Sequence, residues 1–189
     1  MRSHFIRFGL IPAAAVAAAC TTAHRAGLPE RSEARVRVHP AGHPGPAGLV
    51  TKPLLACRAP AHDVSGSVGA AAGSRSVARN GLGDVLAVPA DAVPAGTSVK
   101  VVRGPGRTYR WVEASAGSAA PPATLTIDLR GCTQGKTGLF IVRWVPALSA
   151  WDSVGGTVAD SAITADLPHL SIYAVVGGRD PAPDPEPAP

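Results

Sequence analysis

The chain has 189 residues, a formal net charge of +5, 46% apolar and 4% aromatic side chains, and 21 glycines beside 19 prolines. That length holds one modest domain, and so much apolar residue beside only 16% charged residues excludes a wholly disordered chain. The alanine excess runs through the whole sequence, so alanine runs carry no helix signal of their own.

The N-terminus reads first as an address. Arg2 and Arg7 precede an uncharged apolar run from Phe8 to Ala19, which is too short to span a bilayer as a helix. Small residues then lead into Cys20. A basic start, a short apolar stretch and small residues before a cut are the layout of a secretory signal peptide. The run Val16-Ala-Ala-Ala-Cys20 resembles a bacterial lipobox, in which the cysteine is lipidated and becomes the mature N-terminus. Ala17 stands where that motif usually carries leucine, and the other reading of the segment is an ordinary signal peptide cut at a small-residue site. Either way residues 1–20 are expected to be a targeting segment, the protein to be exported, and the lipid on Cys20 to make the membrane its first partner. Removal of Arg2 and Arg7 takes the charge from +5 to +3.

Residues 21–50 are rich in Pro, Gly, Ala and His, and are expected to form a flexible linker. Six basic residues between Thr21 and Pro60 (Arg25, Arg31, Arg35, Arg37, Lys52, Arg58) face Glu30 and Glu33, a balance suited to a solvated arm near an anionic surface. His24, His39 and His43 lie in this arm, but metal ligation needs several fixed ligands and a proline-rich arm does not fix them, so no metal or cofactor is expected.

Residues 54–176 are expected to be the folded domain. Asp84 to Val88 is a short apolar strand stopped by Pro89, and Thr97 to Arg103 alternates Val99 and Val101 against Ser98 and Lys100. Gly104-Pro-Gly106 is a turn, and Thr108 to Glu113 returns as the hairpin partner. Ala123 to Leu129 places Leu125, Ile127 and Leu129 on one face, and Leu139 to Val145, the most apolar run, is expected to be a central strand. Trp151 to Val154, Ser161 to Leu167 and Leu170 to Val176 complete the set. Short strands at this spacing predict an all-β sandwich or barrel. Gly177 to Pro189 is too rich in proline for a central strand and is expected to be a disordered acidic tail.

Two stretches together resemble ZU5-like domains. Val85-Leu-Ala-Val-Pro89-Ala-Asp-Ala-Val-Pro94-Ala-Gly96-Thr97 is similar to the family's opening pattern, and Trp151-Asp-Ser-Val followed by His169-Leu170-Ser171-Ile-Tyr173-Ala-Val175 to its closing one. Asp91 stands where the family carries glycine. The resemblance covers roughly residues 80–176 and implies a small β-sandwich used as an interaction module.

It also gives His169-Leu170-Ser171 a sharper meaning, because the triplet is similar to the self-cleaving site of ZU5-type and GPS-type autoproteolytic domains. There the histidine acts as general base, the Ser171 hydroxyl would attack the Leu170 carbonyl, and water would hydrolyse the ester. Such a site needs a strained turn, which Pro168 would help to make, and the paired cysteines of GPS segments are missing around it. The plainer reading is that the triplet starts the last strand, with Ser171 bonding backbone and no catalytic residue present.

Cysteine arithmetic bears on the export reading. With Cys20 lipidated, Cys57 and Cys132 remain as a pair, expected to form a disulfide in an oxidising compartment, the other reading being two buried free thiols. The other candidates are weaker. Gly131-Cys-Thr-Gln-Gly135-Lys136-Thr137 is one residue short of a phosphate loop and is expected to be a hairpin turn. Arg103, Arg107, Tyr109, Arg110 and Trp111 mix cations with aromatics, but alternation makes at least one aromatic a core residue and the arginines a solvated face, with no nucleic acid as partner. The function expected is that of an envelope-anchored, non-enzymatic lipoprotein presenting an interaction domain to an unknown protein or glycan. The alternatives are self-processing between Leu170 and Ser171, and glycan binding through an exposed Trp111 or Trp151.

Overall fold

The computed structural model describes residues 28, 32–38, 48–105, 109–132 and 137–177. Cys20, His24, His39, His43, Arg107 and the tail from residue 178 onward lie outside them, as do 133–136 of the turn expected after Gly131. Thirteen strands are formed among the described residues: β1 Glu33–Val38, β2 Gly48–Pro53, β3 Val64–Gly69, β4 Ser76–Arg79, β5 Val85–Val88, β6 Ser98–Arg103, β7 Trp111–Ala116, β8 Ala123–Asp128, β9 Phe140–Val145, β10 Ala150–Gly155, β11 Thr157–Ala159, β12 Ala162–Leu167 and β13 Ile172–Val176. No described helix is long and apolar enough to cross a membrane.

The strands build two sheets. The larger has eight strands in the order β2-β1-β10-β9-β13-β7-β6-β3, and the smaller has five in the order β11-β12-β8-β5-β4. Pairing is antiparallel except between β1 and β10, which run parallel with Val36 opposite Trp151. The all-β sandwich expected from the period-two runs is the fold observed. β6 and β7 form the hairpin anticipated around Gly104, with Arg103 opposite Val112, and β9 lies inside the larger sheet between β10 and β13.

Alternation sorts the side chains into two apolar layers. Between the sheets lie Leu86, Val88, Val99, Val101, Val112, Leu125, Ile127, Leu129, Ile141, Ile163, Tyr173 and Val175. On the outer face of the larger sheet, Ala34, Val36, Leu54, Tyr109, Trp111, Val142, Trp144, Trp151, Ile172, Ala174 and Val176 form a second cluster. β13 serves both, sending Tyr173 and Val175 inward and Ile172, Ala174 and Val176 outward. Trp151 packs edge-on to Tyr109 at 6.0 Å between ring centroids and tilted against Trp144 at 5.2 Å. The indole sits where edge-to-face contact is favourable.

One expectation about boundaries is corrected. Residues 21–50 are not all linker, because β1 and the start of β2 come from that stretch. Glu33-Ala-Arg-Val-Arg-Val38 does alternate, and Ala34 and Val36 are buried on the tryptophan face. Prolines and glycines on both sides conceal this six-residue signal. Ser32 is tied in as well, its carbonyl accepting the Leu54 N–H at 2.8 Å.

The edges of the two sheets meet where β3 crosses β4, and Gly66 makes this approach possible. A Cβ on Gly66 would lie 1.7 Å from the Arg79 carbonyl oxygen, whereas one on Gly69 of the same strand would meet nothing within 4 Å. Gly66→Ala should therefore destabilise the fold by about 1–3 kcal/mol through overpacking, while Gly69→Ala should stay within about 0.5 kcal/mol. Urea denaturation of the two variants measures the contrast, and equal midpoints would contradict this account of the sheet edges.

Candidate functional site

Two polar regions lie at opposite ends of β8. One adjoins its start, where Ala123 pairs with Leu167 just before the His169 turn; the other adjoins its end, where Asp128 pairs with Ala162.

At the first end, β12 closes at Leu167, Pro168 turns the chain, and β13 opens at Ile172. His169 is exposed, and Leu170 and Ser171 are half-buried. The Ser171 hydroxyl donates to the Trp144 carbonyl at 3.4 Å, and the Ser171 carbonyl accepts from the Ala114 N–H at 2.9 Å. The Tyr173 hydroxyl donates to the His169 carbonyl. Burial raises the Tyr173 phenol well above its ordinary value, so it stays a donor at any physiological pH. Ser171 and its carbonyl thus serve sheet pairing. The left-handed φ values among described non-glycine residues fall on Asp91, Ser149 and Asp160, away from this turn.

Beside the turn is a groove of about 270 Å³ lined by Arg143, Asp152, Ser153, Val154, Asp166, Pro168 and His169. Two of its lining residues, Arg143 and Asp152, belong to a charge ladder across neighbouring strands. Arg143 donates to Asp152 at 3.0 Å, and Arg37 of β1 approaches the same carboxylate at 3.7 Å. Strand register places these three side by side, since Arg37 pairs with Asp152 and Asp152 with Arg143. Asp166 accepts from the Thr124 hydroxyl at 3.0 Å. The groove therefore offers an exposed imidazole beside charges already committed to each other.

At the other end the larger sheet sends two arginines toward the smaller one. Arg103 closes β6 two residues beyond Val101, and Asp84 stands two residues ahead of Leu86 at the entry to β5, so alternation points both inward. Neither is measurably exposed, at 0% each. Arg103 donates to the Asp84 carboxylate and, at 3.3 Å, to the Asp128 carbonyl. Asp84 also accepts from the Asn80 side-chain amide at 2.8 Å and the Asp128 N–H at 3.1 Å. Asn80 in turn accepts from the N–H groups of Leu82 and Asp84, which closes a tight loop around the carboxylate. Burial pushes the Asp84 carboxyl up despite Arg103, and burial likewise pulls Arg103 down. Desolvation thus outweighs the attraction within the pair.

Arg110 enters the same region just ahead of β7. It donates to the carbonyls of Asp128, Arg130 and Arg58, and its Nη1 lies 3.9 Å from Cys132 Sγ. Burial pulls its guanidinium down to about 10. Cys132 is bonded to Cys57 at 2.02 Å, across 75 residues of sequence. In the chain-entropy picture a loop of that length stabilises the fold by about 4 kcal/mol. The pairing expected from cysteine count is therefore formed. The arginines are a correction, because Arg103 and Arg110 are buried rather than solvated. Inward registers at the ends of β5 and β6 were a signal in the sequence, and only the partner identity was hidden.

The aromatic surface required for glycan stacking is likewise not offered by Trp111 or Trp151, which are 8% and 1% exposed. Among the described residues no group of three or more His, Cys, Asp or Glu side chains could hold a metal. Comparison with protein-family models, with curated proteins and with solved structures finds no match to this chain.

Asp128 gives this end a signed pH dependence. Burial raises its carboxyl, but the hydrogen bonds from the Arg130 side chain and N–H prevail and hold it below its ordinary value. A carboxyl lowered in the fold contributes stability that is complete above its unfolded value of about 3.9 and is lost as pH falls through the folded value. The urea midpoint should therefore drop on acidification below about pH 4, and Asp128→Asn should show a lower midpoint at neutral pH with a flatter acid limb. Parallel acid limbs in wild type and variant would refute the assignment.

Proposed function

We propose that the protein is an exported lipoprotein, held at a membrane through Cys20 and presenting its β-sandwich as a non-enzymatic interaction domain. The observation that carries this reading is the Cys57–Cys132 bond. Of the three cysteines in the chain it uses two, so no other cysteine of the chain is left to pair with Cys20, at the end of a lipobox-like segment. Disulfides persist in oxidising compartments, which agrees with export.

The tether in this reading is short. Thirteen steps separate Cys20 from Glu33 of β1, which at full extension reach about 45 Å. The domain would work close to the membrane surface. Asp91, which departs from the glycine of the ZU5-like pattern, takes a left-handed φ of 56°. Its side chain accepts from the Gly73 N–H at 2.8 Å, which helps hold that turn. A protein partner is favoured over a glycan, because Trp111 and Trp151 are spent on packing.

Mass spectrometry of the protein from membrane fractions tests the reading. The mature chain should begin at Cys20 and carry the mass of an attached lipid, and Cys20→Ala should leave the membrane fraction. A mature N-terminus elsewhere, without added mass, would refute the anchor. The same spectrum should show residues 171–189 still joined to the chain; a free Ser171–Pro189 peptide would replace the non-enzymatic reading with self-processing.

A further inference from the structure

Among the described residues, the buried Arg110 cation has only neutral hydrogen-bond contacts, and the Asp84 and Asp128 carboxylates act on it from beyond ion-pair distance. The carbonyls of Asp128, Arg130 and Arg58 hold its guanidinium, and its Nη1 also lies against the Cys132 sulfur. The ion pairs of this region use other arginines, Arg103 with Asp84 and Arg130 with Asp128. A desolvated positive charge without an anion in contact is costly, and here the geometry places it against an atom able to become one.

The two sulfurs differ in their surroundings. Cys132 Sγ faces the guanidinium at 3.9 Å, whereas Cys57 Sγ lies 3.8 Å from the Leu55 carbonyl oxygen. A carbonyl favours a thiol that donates a proton, and a guanidinium favours a thiolate. Both cysteines are half-buried, and the adjoining Arg58 and Gly131 are exposed, so the bond lies at the rim of the domain. Arg58 N–H donates to the Gly131 carbonyl at 3.1 Å, which keeps the two cysteine segments in register beside the bond.

We infer that Cys57–Cys132 is a directed thiol–disulfide exchange site, in which a dithiol reductant attacks Cys57 and Cys132 departs as a thiolate paired with Arg110. In the first step a thiolate of the reductant bonds to Cys57 Sγ, the Cys57–Cys132 bond breaks, and its electron pair leaves on Cys132. In the second step the reductant's other thiol gives up its proton and attacks its own bridged sulfur. Cys57 is released and takes up a proton to donate to the Leu55 carbonyl. The reductant ends as a disulfide, oxidised by two electrons, and the protein ends with a thiol at Cys57 and a thiolate at Cys132. This site is independent of the lipid anchor, so failure of either leaves the other standing.

Peptide mapping of the full chain tests the direction. Brief exposure of the native protein to glutathione, followed by alkylation with iodoacetamide, should place glutathione on Cys57 and the alkyl group on Cys132, with Cys20 read on its own peptide. After full reduction by dithiothreitol, Cys132 should alkylate with an apparent pKa below the ordinary thiol value of about 8.5. Arg110→Gln should slow reduction by about tenfold, because a thiolate of higher pKa leaves more slowly, while Arg110→Lys should retain most of the wild-type rate. Glutathione on Cys132 or spread evenly over both cysteines would overturn the inference, as would an unchanged rate in a folded Arg110→Gln variant. The wild-type map alone decides the direction if Arg110→Gln does not fold.

Discussion

The pair formed by Asp84 and Arg103 joins the two sheets at the point where both would otherwise present strand ends to each other. Asp84 belongs to the entry of β5 and Arg103 to the exit of β6, and both point into the space between the sheets. A charge there has no water to fall back on, so each residue requires the other, and the remaining lone pairs of the carboxylate require Asn80 and the Asp128 N–H. Because burial opposes the charge on both partners, the pair adds little stability that two apolar side chains could not supply. What it adds is a penalty for any other arrangement. A shift of β6 by one residue would turn Arg103 to the outer face and leave Asp84 buried alone.

The rest of this end of the sandwich is arranged around that constraint. Asp128 supplies its N–H to Asp84 and its carbonyl to Arg103 and Arg110, while its own carboxylate is held by Arg130. Arg110 reaches on to the Cys57–Cys132 bond, so the ion network and the covalent link are joined through the Asp128 carbonyl, which accepts from both Arg103 and Arg110. The opposite end is different in kind. Its polar groups line an open groove, and the His169–Ser171 segment spends its hydroxyl and carbonyl on holding the start of β13. The exposed groove and the buried network are thus kept apart by the length of β8.

Much of the fold was legible because period-two alternation is a property of the strand itself. Leu125, Ile127 and Leu129 announced β8, and Val99 and Val101 announced β6. What escaped the sequence has physical reasons. β3, Val-Ser-Gly-Ser-Val-Gly, has little apolar content because its glycine at 66 is needed for close approach to β4. β1 is six residues long and gains its burial from the outer tryptophan layer, which no local pattern reveals. The disulfide followed from counting. The buried arginines did not, because Arg103 and Asp84 are 19 residues apart and a lone inward charge in a sequence reads as a solvated one until its partner is found.

A double-mutant cycle on Asp84 and Arg103 tests the central claim most directly. Asp84→Leu and Arg103→Met should each lower stability by about 3–5 kcal/mol, because each strands a buried charge. The combined variant should lose much less than either alone, since it removes both charges together. Losses that simply add would contradict the account, showing that the two residues act separately and that the sheets are held in place by packing alone.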